Sequence, residues 1–293
     1  MITRSLSPIF ALVLAALTFW LMVTAPGVVD PEFAGETYGV FAMLLVILFG
    51  VLFVALRLAT AGSMTFWSGG PRPGRQVRRI AFMIGTALAI QLSAGWILES
   101  RGLINETTST FALLTWIVVP AAFVASGWVE WPARLKSASG PRLILVGVPA
   151  IGCALAVSYA KFAAGPTELD LPSTGGLLVA VARLIAAAAA EEVVSRILLL
   201  TALLDLTRSR FHAVFLSSAV FGLLHAPIVL MQPVVHADWA QLQYAAHNYA
   251  PVFLAQTFGG LVLGVIWLRT GSIGLVVLTH AIVNVGPALL TGL

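Results

Sequence analysis

Residues 176–204 read GLLVAVARLIAAAAAEEVVSRILLLTALL, 29 residues of which four are charged: Arg183, Glu191, Glu192 and Arg196. A run this long and apolar is written for hydrocarbon, because about 20 apolar residues cross a bilayer as a helix. The charges are the anomaly. Even on the mildest scale a charge at mid-bilayer costs about 2.5–3.5 kcal/mol, so two adjacent carboxylates there need a reason. Glu192 and Arg196 stand i,i+4 with the glutamate N-terminal, the favoured order for a helical ion pair. That pairing leaves Glu191, rotated by about 100°, without a partner on its own helix. Arg183, about two turns earlier, is expected to reach the outer water or another helix.

The rest of the chain agrees with this stretch. Its 293 residues are 59% hydrophobic and 10% charged, against roughly 25% charged in a soluble domain, and mean hydropathy is +0.99. Such a chain cannot coat a water-soluble body. The apolar runs are continuous rather than alternating, which excludes a transmembrane barrel. One cysteine, Cys153, can form neither an internal disulfide nor a cysteine cluster. Spans are expected at about Pro8–Val29, Gly39–Leu58, Arg79–Leu98, Phe111–Val129, Arg142–Phe162, Gly176–Leu204, Phe211–Met231, Pro251–Leu268 and Ser272–Leu290. The apolar core of the first exceeds the roughly 7–15 residues of a signal peptide and lacks a clear cleavage site, so it counts as a span. The expected fold is an all-α polytopic membrane protein of about nine transmembrane helices.

Net charge is +4, and its placement argues for a membrane rather than nucleic acid. With the N-terminus cytoplasmic, the inner segments hold Arg4, Arg57, Arg72, Arg75, Arg78, Arg79, Arg134, Lys136, Arg142, Arg208, Arg210 and Arg269. The outer loops hold only Arg101 and Lys161, and most of the acidic residues. This is a strong positive-inside pattern, and it puts the C-terminus outside. The segment Ser68–Arg79 reads as an ordinary loop, and no internal repeat is present.

Three of the later spans carry strongly polar residues at similar depth. At 1.5 Å per residue from the inner end, Glu191 lies about 20 Å in, His225 about 21 Å, His280 about 12 Å and Asn284 about 18 Å. His280 and Asn284 share a helix face, as do Phe221 and His225. A lone histidine on an apolar helix is usually a core residue. Two histidines, a carboxylate pair and an amide in one slab point instead to a functional site.

Glu191-Glu192-Val193-Val194-Ser195-Arg196 fits an EExxxR pattern, Phe221–His225 fits FxxxH and His280–Asn284 fits HxxxN. In this order, with Thr270-Gly271-Ser272 leading into the last helix, they resemble the CPBP family of intramembrane endopeptidases. That family comprises the type II CAAX prenyl proteases and their bacterial relatives. The resemblance spans roughly Gly176–Leu290, giving a division into residues 1–175, five helices of unassigned role, and 176–293, a catalytic core. It implies hydrolysis of a peptide bond in a membrane-anchored or lipid-anchored protein, within the bilayer and without nucleic acid. A bacterial inner (cell) membrane is the expected location. It further implies that Glu191 and His225 hold and deprotonate a water while His280 and Asn284 donate to the oxyanion. Glu192, tied to Arg196, would support them, and Phe221 would shape the cleft.

No cofactor is required by this chemistry. Zinc on Glu191, His225 and His280 is the rival, but the chain has no H-E-x-x-H pair and its last helix joins a histidine to an asparagine, a poor zinc pair. No aspartate lies within a span, so an aspartyl dyad is excluded. A different class of function, a non-catalytic immunity, maturation or transport factor with the polar cluster acting as helix glue, stays open at this point. The remaining features read as structure: His212 as solvated, His236, Asp238 and His247 as outer-surface residues. The tryptophans near span ends, such as Trp67 and Trp267, read as an interfacial belt. Ala186–Ala190 and the Gly260/Gly264 pair read as close packing.

Overall fold

The structure, a computed structural model, describes residues 2–24, 34–62, 65–101, 106–163, 174–226 and 239–291. Its helices are α1 (Ile2–Thr24), α2 (Ala34–Thr60), α3 (Pro73–Ser100), α4 (Glu106–Ala125) and α5 (Gly140–Ala163). Then come α6 (Thr174–Glu192), a π-helical segment (Val193–Leu200) and α7 (Thr201–Thr207), which form one continuous rod. Finally come α8 (Arg210–Leu223), α9 (Trp239–Thr270) and α10 (Ile273–Thr291). Among the described residues there are therefore nine helical rods, one for each expected span. Five of them are long and apolar enough to cross a bilayer: Leu6–Thr24, Gly35–Thr60, Pro73–Leu98, Gly140–Ala163 and Tyr249–Thr270. The outward faces of α2 and α5 expose Val46, Val51, Leu58, Leu145 and Val148. Only hydrocarbon makes such a surface favourable, and the helical backbone leaves no polar group unpaired there. This is a multi-pass membrane protein.

Two expectations need correction. The stretch before α3 is more than a loop: Trp67–Ser68 (β1) and Ala133–Arg134 (β2) pair antiparallel, Trp67 opposite Arg134. The helix then starts at Pro73, six residues early, because proline at the first helical position loses only an amide that has no partner there anyway. The expected seventh span, Phe211–Met231, is interrupted, and its residues 227–231 lie outside the described residues. α8 ends at Leu223, with Leu224 and His225 in a closing turn. Ala226 after the turn is helical again.

Four loops meet at one end of the bundle. The ladder joins the α2–α3 loop to the α4–α5 loop, and the Gln76 side chain reinforces it by donating to the Glu130 carbonyl at 2.7 Å. Asp205, near the α7–α8 turn, accepts from the Gly69 amide at 2.5 Å. The α9–α10 turn joins them through the Trp67 indole, which donates to the Gly271 carbonyl at 3.0 Å. Arg269 completes the set by donating to the carbonyls of Ala59 (2.7 Å), Ala61 (3.2 Å) and Leu58 (3.3 Å), so it caps α2. Meeting at one end is what alternating crossings require of these four loops. Trp67 and Trp267 are thus part of this knot, stacked with ring centres 5.5 Å apart.

The core runs through the middle of the bundle, from Leu14, Phe49 and Met83 to Phe215, Phe253 and Trp267. Helices α8 and α9 approach closely because their contact is glycine-lined. A Cβ on Gly260 would stand 3.0 Å from the Ser218 Cβ, and one on Gly264 2.9 Å from a Val214 methyl. α10 lies equally close to α5, where the Gly286 amide donates to the Ser158 hydroxyl at 2.8 Å. These contacts set the last helix beside the α6–π rod.

Candidate active site

Glu191 and Glu192 end α6 at the point where the backbone widens into the π segment. Such insertions are uncommon and concentrate at functional sites. Glu192 and Arg196 are both fully buried, with Oε2 to Nε 3.0 Å, as the i,i+4 spacing predicts. The contact is Coulombic rather than a well-aligned hydrogen bond, since none of the Arg196 nitrogens finds a hydrogen-bond acceptor among the described residues. The guanidinium also lies over the Phe221 ring, 5.0 Å from its centre, an attraction that strengthens when water is excluded.

Glu192 has a second partner that sequence reasoning missed. Its Oε1 accepts from His280 Nδ1 at 2.9 Å, so a single buried carboxylate bridges Arg196 on its own rod and His280 on α10. Depth estimates alone set His280 some 8 Å from the glutamates, but the structure brings it within hydrogen-bonding distance of Glu192. His225 is oriented differently. Its Nδ1–H donates to the Phe221 carbonyl at 2.9 Å, satisfying an orphan acceptor at the end of α8.

With both Nδ1 atoms occupied, both Nε2 atoms turn to one place. His225 Nε2 is 3.9 Å from Glu191 Oε2 and His280 Nε2 is 3.8 Å from the same oxygen. Those distances lie beyond direct hydrogen bonding, and Glu191 Oε2 has no hydrogen-bond partner among the described residues. The burial is graded: the Glu191 side chain is 34% exposed, His225 13% and His280 7%. Phe221 packs edge-on to both imidazoles, with centres 5.0 and 5.8 Å away. Five of the seven residues singled out by motif, Glu191, Glu192, His225, His280 and Phe221, thus touch one another, and Arg196 backs them. Asn284 lies one turn beyond His280 on α10, half-buried, and makes no side-chain hydrogen bond with another described residue.

Some neighbours carried no signal in the sequence. The Tyr249 hydroxyl donates to the Gly222 carbonyl at 3.1 Å, and the buried Thr257 hydroxyl faces Gly222. Tyr249 thus ties down the turn that carries His225, and Thr257 packs against it. Arg183 takes no part; it reaches Thr110 on α4 at 3.3 Å. His212, read as solvated, is half-buried and shares a 2.9 Å hydrogen bond with the Ser7 hydroxyl of α1. His236 and Asp238 lie outside the described residues, as does the side chain of His247.

As to metals, no group of three or more histidine, cysteine, aspartate or glutamate side chains among the described residues is arranged to hold one. The nearest approach is Glu191 with the two Nε2 atoms. Their 3.8–3.9 Å separations exceed the roughly 3.3–3.5 Å between ligands of a tetrahedral zinc with bonds of about 2.0–2.1 Å.

No curated protein and no solved structure gives a significant match to the chain. The family profile described as "Type II CAAX prenyl endopeptidase Rce1-like" matches residues 173–286, roughly two-fifths of the sequence. That interval holds all seven residues discussed above, and it is the part of the bundle in which α6, the π segment, α8 and α10 converge. Residues 173–286 are an Rce1-like type II CAAX prenyl endopeptidase domain, carried on a multi-pass membrane chain.

Proposed function

We propose that the cluster hydrolyses a peptide bond of a membrane-anchored or lipid-anchored protein, with Glu191 as the base. The observation that carries this reading is the convergence of His225 Nε2 and His280 Nε2 on Glu191 Oε2, at 3.9 and 3.8 Å. Separations of this size suit a bridging water. Glu191 takes a proton from that water, held also by His225, as its oxygen bonds to the scissile carbonyl carbon. The carbonyl oxygen becomes an oxyanion, stabilised by donors from His280 and the Asn284 amide. Collapse breaks the C–N bond, and the departing amine takes the proton from Glu191. His280 already donates its Nδ1–H to Glu192, so it donates from Nε2 only when doubly protonated. Glu192 then serves as the counter-charge that this state needs.

The test is to replace the protein by its Glu191→Gln variant in cells and compare the membrane proteins that accumulate uncut. Loss of a general base costs roughly 10²–10⁴-fold, so the same uncut species should appear as in a strain lacking the protein. A variant that processes like wild type refutes the assignment and favours a non-catalytic role.

One observation favours a metal reading. An imidazole whose Nδ1–H is held by a carboxylate, with Nε2 turned inward, is how zinc-bound histidines are commonly oriented. Under the glutamate reading, purified active protein carries substoichiometric metal and keeps its activity in strong chelators. One zinc per chain, with activity lost on removal and regained on return, would decide for the metal.

A further inference from the structure

A cavity of about 680 Å³ opens between the end of α2 with the α2–α3 loop and the α7–α8 turn. It lies well away from the proposed catalytic cluster: Asp205 in its wall is 14 residues beyond Glu191, roughly 20 Å along the rod. Three arginines line it: Arg57 in the last turn of α2, Arg208 between α7 and α8, and Arg210 at the start of α8. None of them forms an ion pair with a described residue. The acidic residue in the wall is already engaged, since Asp205 Oδ2 accepts from the Gly69 amide at 2.5 Å and the Ser68 hydroxyl at 3.3 Å.

Three guanidinium groups around one concavity repel each other, and the engaged carboxylate offsets only part of that charge. Arg208 adds a backbone cost. It holds φ at 51°, a left-handed conformation in which a Cβ is crowded, at a helix end where glycine is the usual residue. An arginine at that position keeps a third cation at the cavity. Guanidinium groups match phosphate oxygens with paired, charge-assisted hydrogen bonds, and the Ser68 and Thr65 side chains add polar atoms to the wall.

We propose that this cavity binds a phosphate group, carried by an anionic phospholipid headgroup or by a soluble phosphate. The site is independent of the proteolytic reading, and its readout is binding rather than cleavage.

The experiment uses the full chain in nanodiscs and reads its melting temperature in two arms. In one, inorganic phosphate is titrated into phosphatidylcholine nanodiscs. In the other, phosphatidylglycerol replaces part of the phosphatidylcholine and no free phosphate is present. The wild type should be stabilised in at least one arm, and the arm identifies the source of the phosphate. Arg57→Gln with Arg208→Gln and Arg210→Gln should weaken that response at least about tenfold. Arg75→Gln with Arg78→Gln and Lys136→Gln removes as much charge outside the cavity and should leave the response intact. If the triple cavity variant does not fold, Arg57→Gln alone, at an exposed helix end, should still weaken it measurably. No wild-type response in either arm, an undiminished response in the cavity variants, or an equal loss in the control would each overturn the proposal.

Discussion

On the proposed reading, Glu192 couples stability to chemistry at a single side chain. It faces Arg196 at 3.0 Å and His280 at 2.9 Å, with no exposure to solvent. Glu192→Gln strips the charge partner from a buried guanidinium, an effect typically worth about 3–5 kcal/mol. We expect a clear drop in melting temperature together with loss of cleavage. Adding Arg196→Met removes the orphaned charge as well, so it should recover much of the stability and none of the activity. Recovery of both would show that Glu192 does nothing for His280. Asn284 should behave in the opposite way. It makes no hydrogen bond with another described side chain, so Asn284→Ala should melt near wild type. Its turnover should fall roughly 10²–10³-fold if its amide serves the oxyanion, and an unchanged rate would remove it from the mechanism.

Helix α8 shows how much a short element can be asked to position. Its C-terminal turn carries His225, and Gly222 in that turn lies against α9. A Cβ on Gly222 would meet the Thr257 hydroxyl and stand 2.9 Å from the Phe253 carbonyl oxygen. Gly222→Ala should therefore push α8 from α9, costing about 1–3 kcal/mol by overpacking and more in activity, because His225 moves with the turn. Melting and turnover measured side by side check this; normal values for both would refute the close approach. Such packing was only partly legible in the sequence. The apolar runs gave nine rods because hydrocarbon length is a one-dimensional property. The i,i+4 pair Glu192–Arg196 was legible because it lies within one helix. The Glu192–His280 bond, the β1–β2 ladder and the role of Tyr249 join residues far apart in the chain, and no periodicity encodes them. The turn at Leu224 and His225 likewise interrupts an apolar run that no local signal divides.

The bundle as a whole is gathered at its arginine-rich end. From positive-inside asymmetry we expect that end to be cytoplasmic and, with nine crossings, the C-terminus to lie outside. A reporter fused after Leu293 should read as external, and one fused in the α4–α5 loop as internal. The reverse pair of readings would invert the orientation, and matching readings would change the number of crossings. The gathering also sets an order in time. Arg269 caps carbonyls of α2 that precede it by 208 to 211 residues, and the ribosome adds about 5–20 residues per second. The second helix therefore waits roughly 10–40 s after synthesis before the side chain that closes it exists. Throughout that interval its last turn depends on water and lipid headgroups, so a helix made early is among the last to be finished.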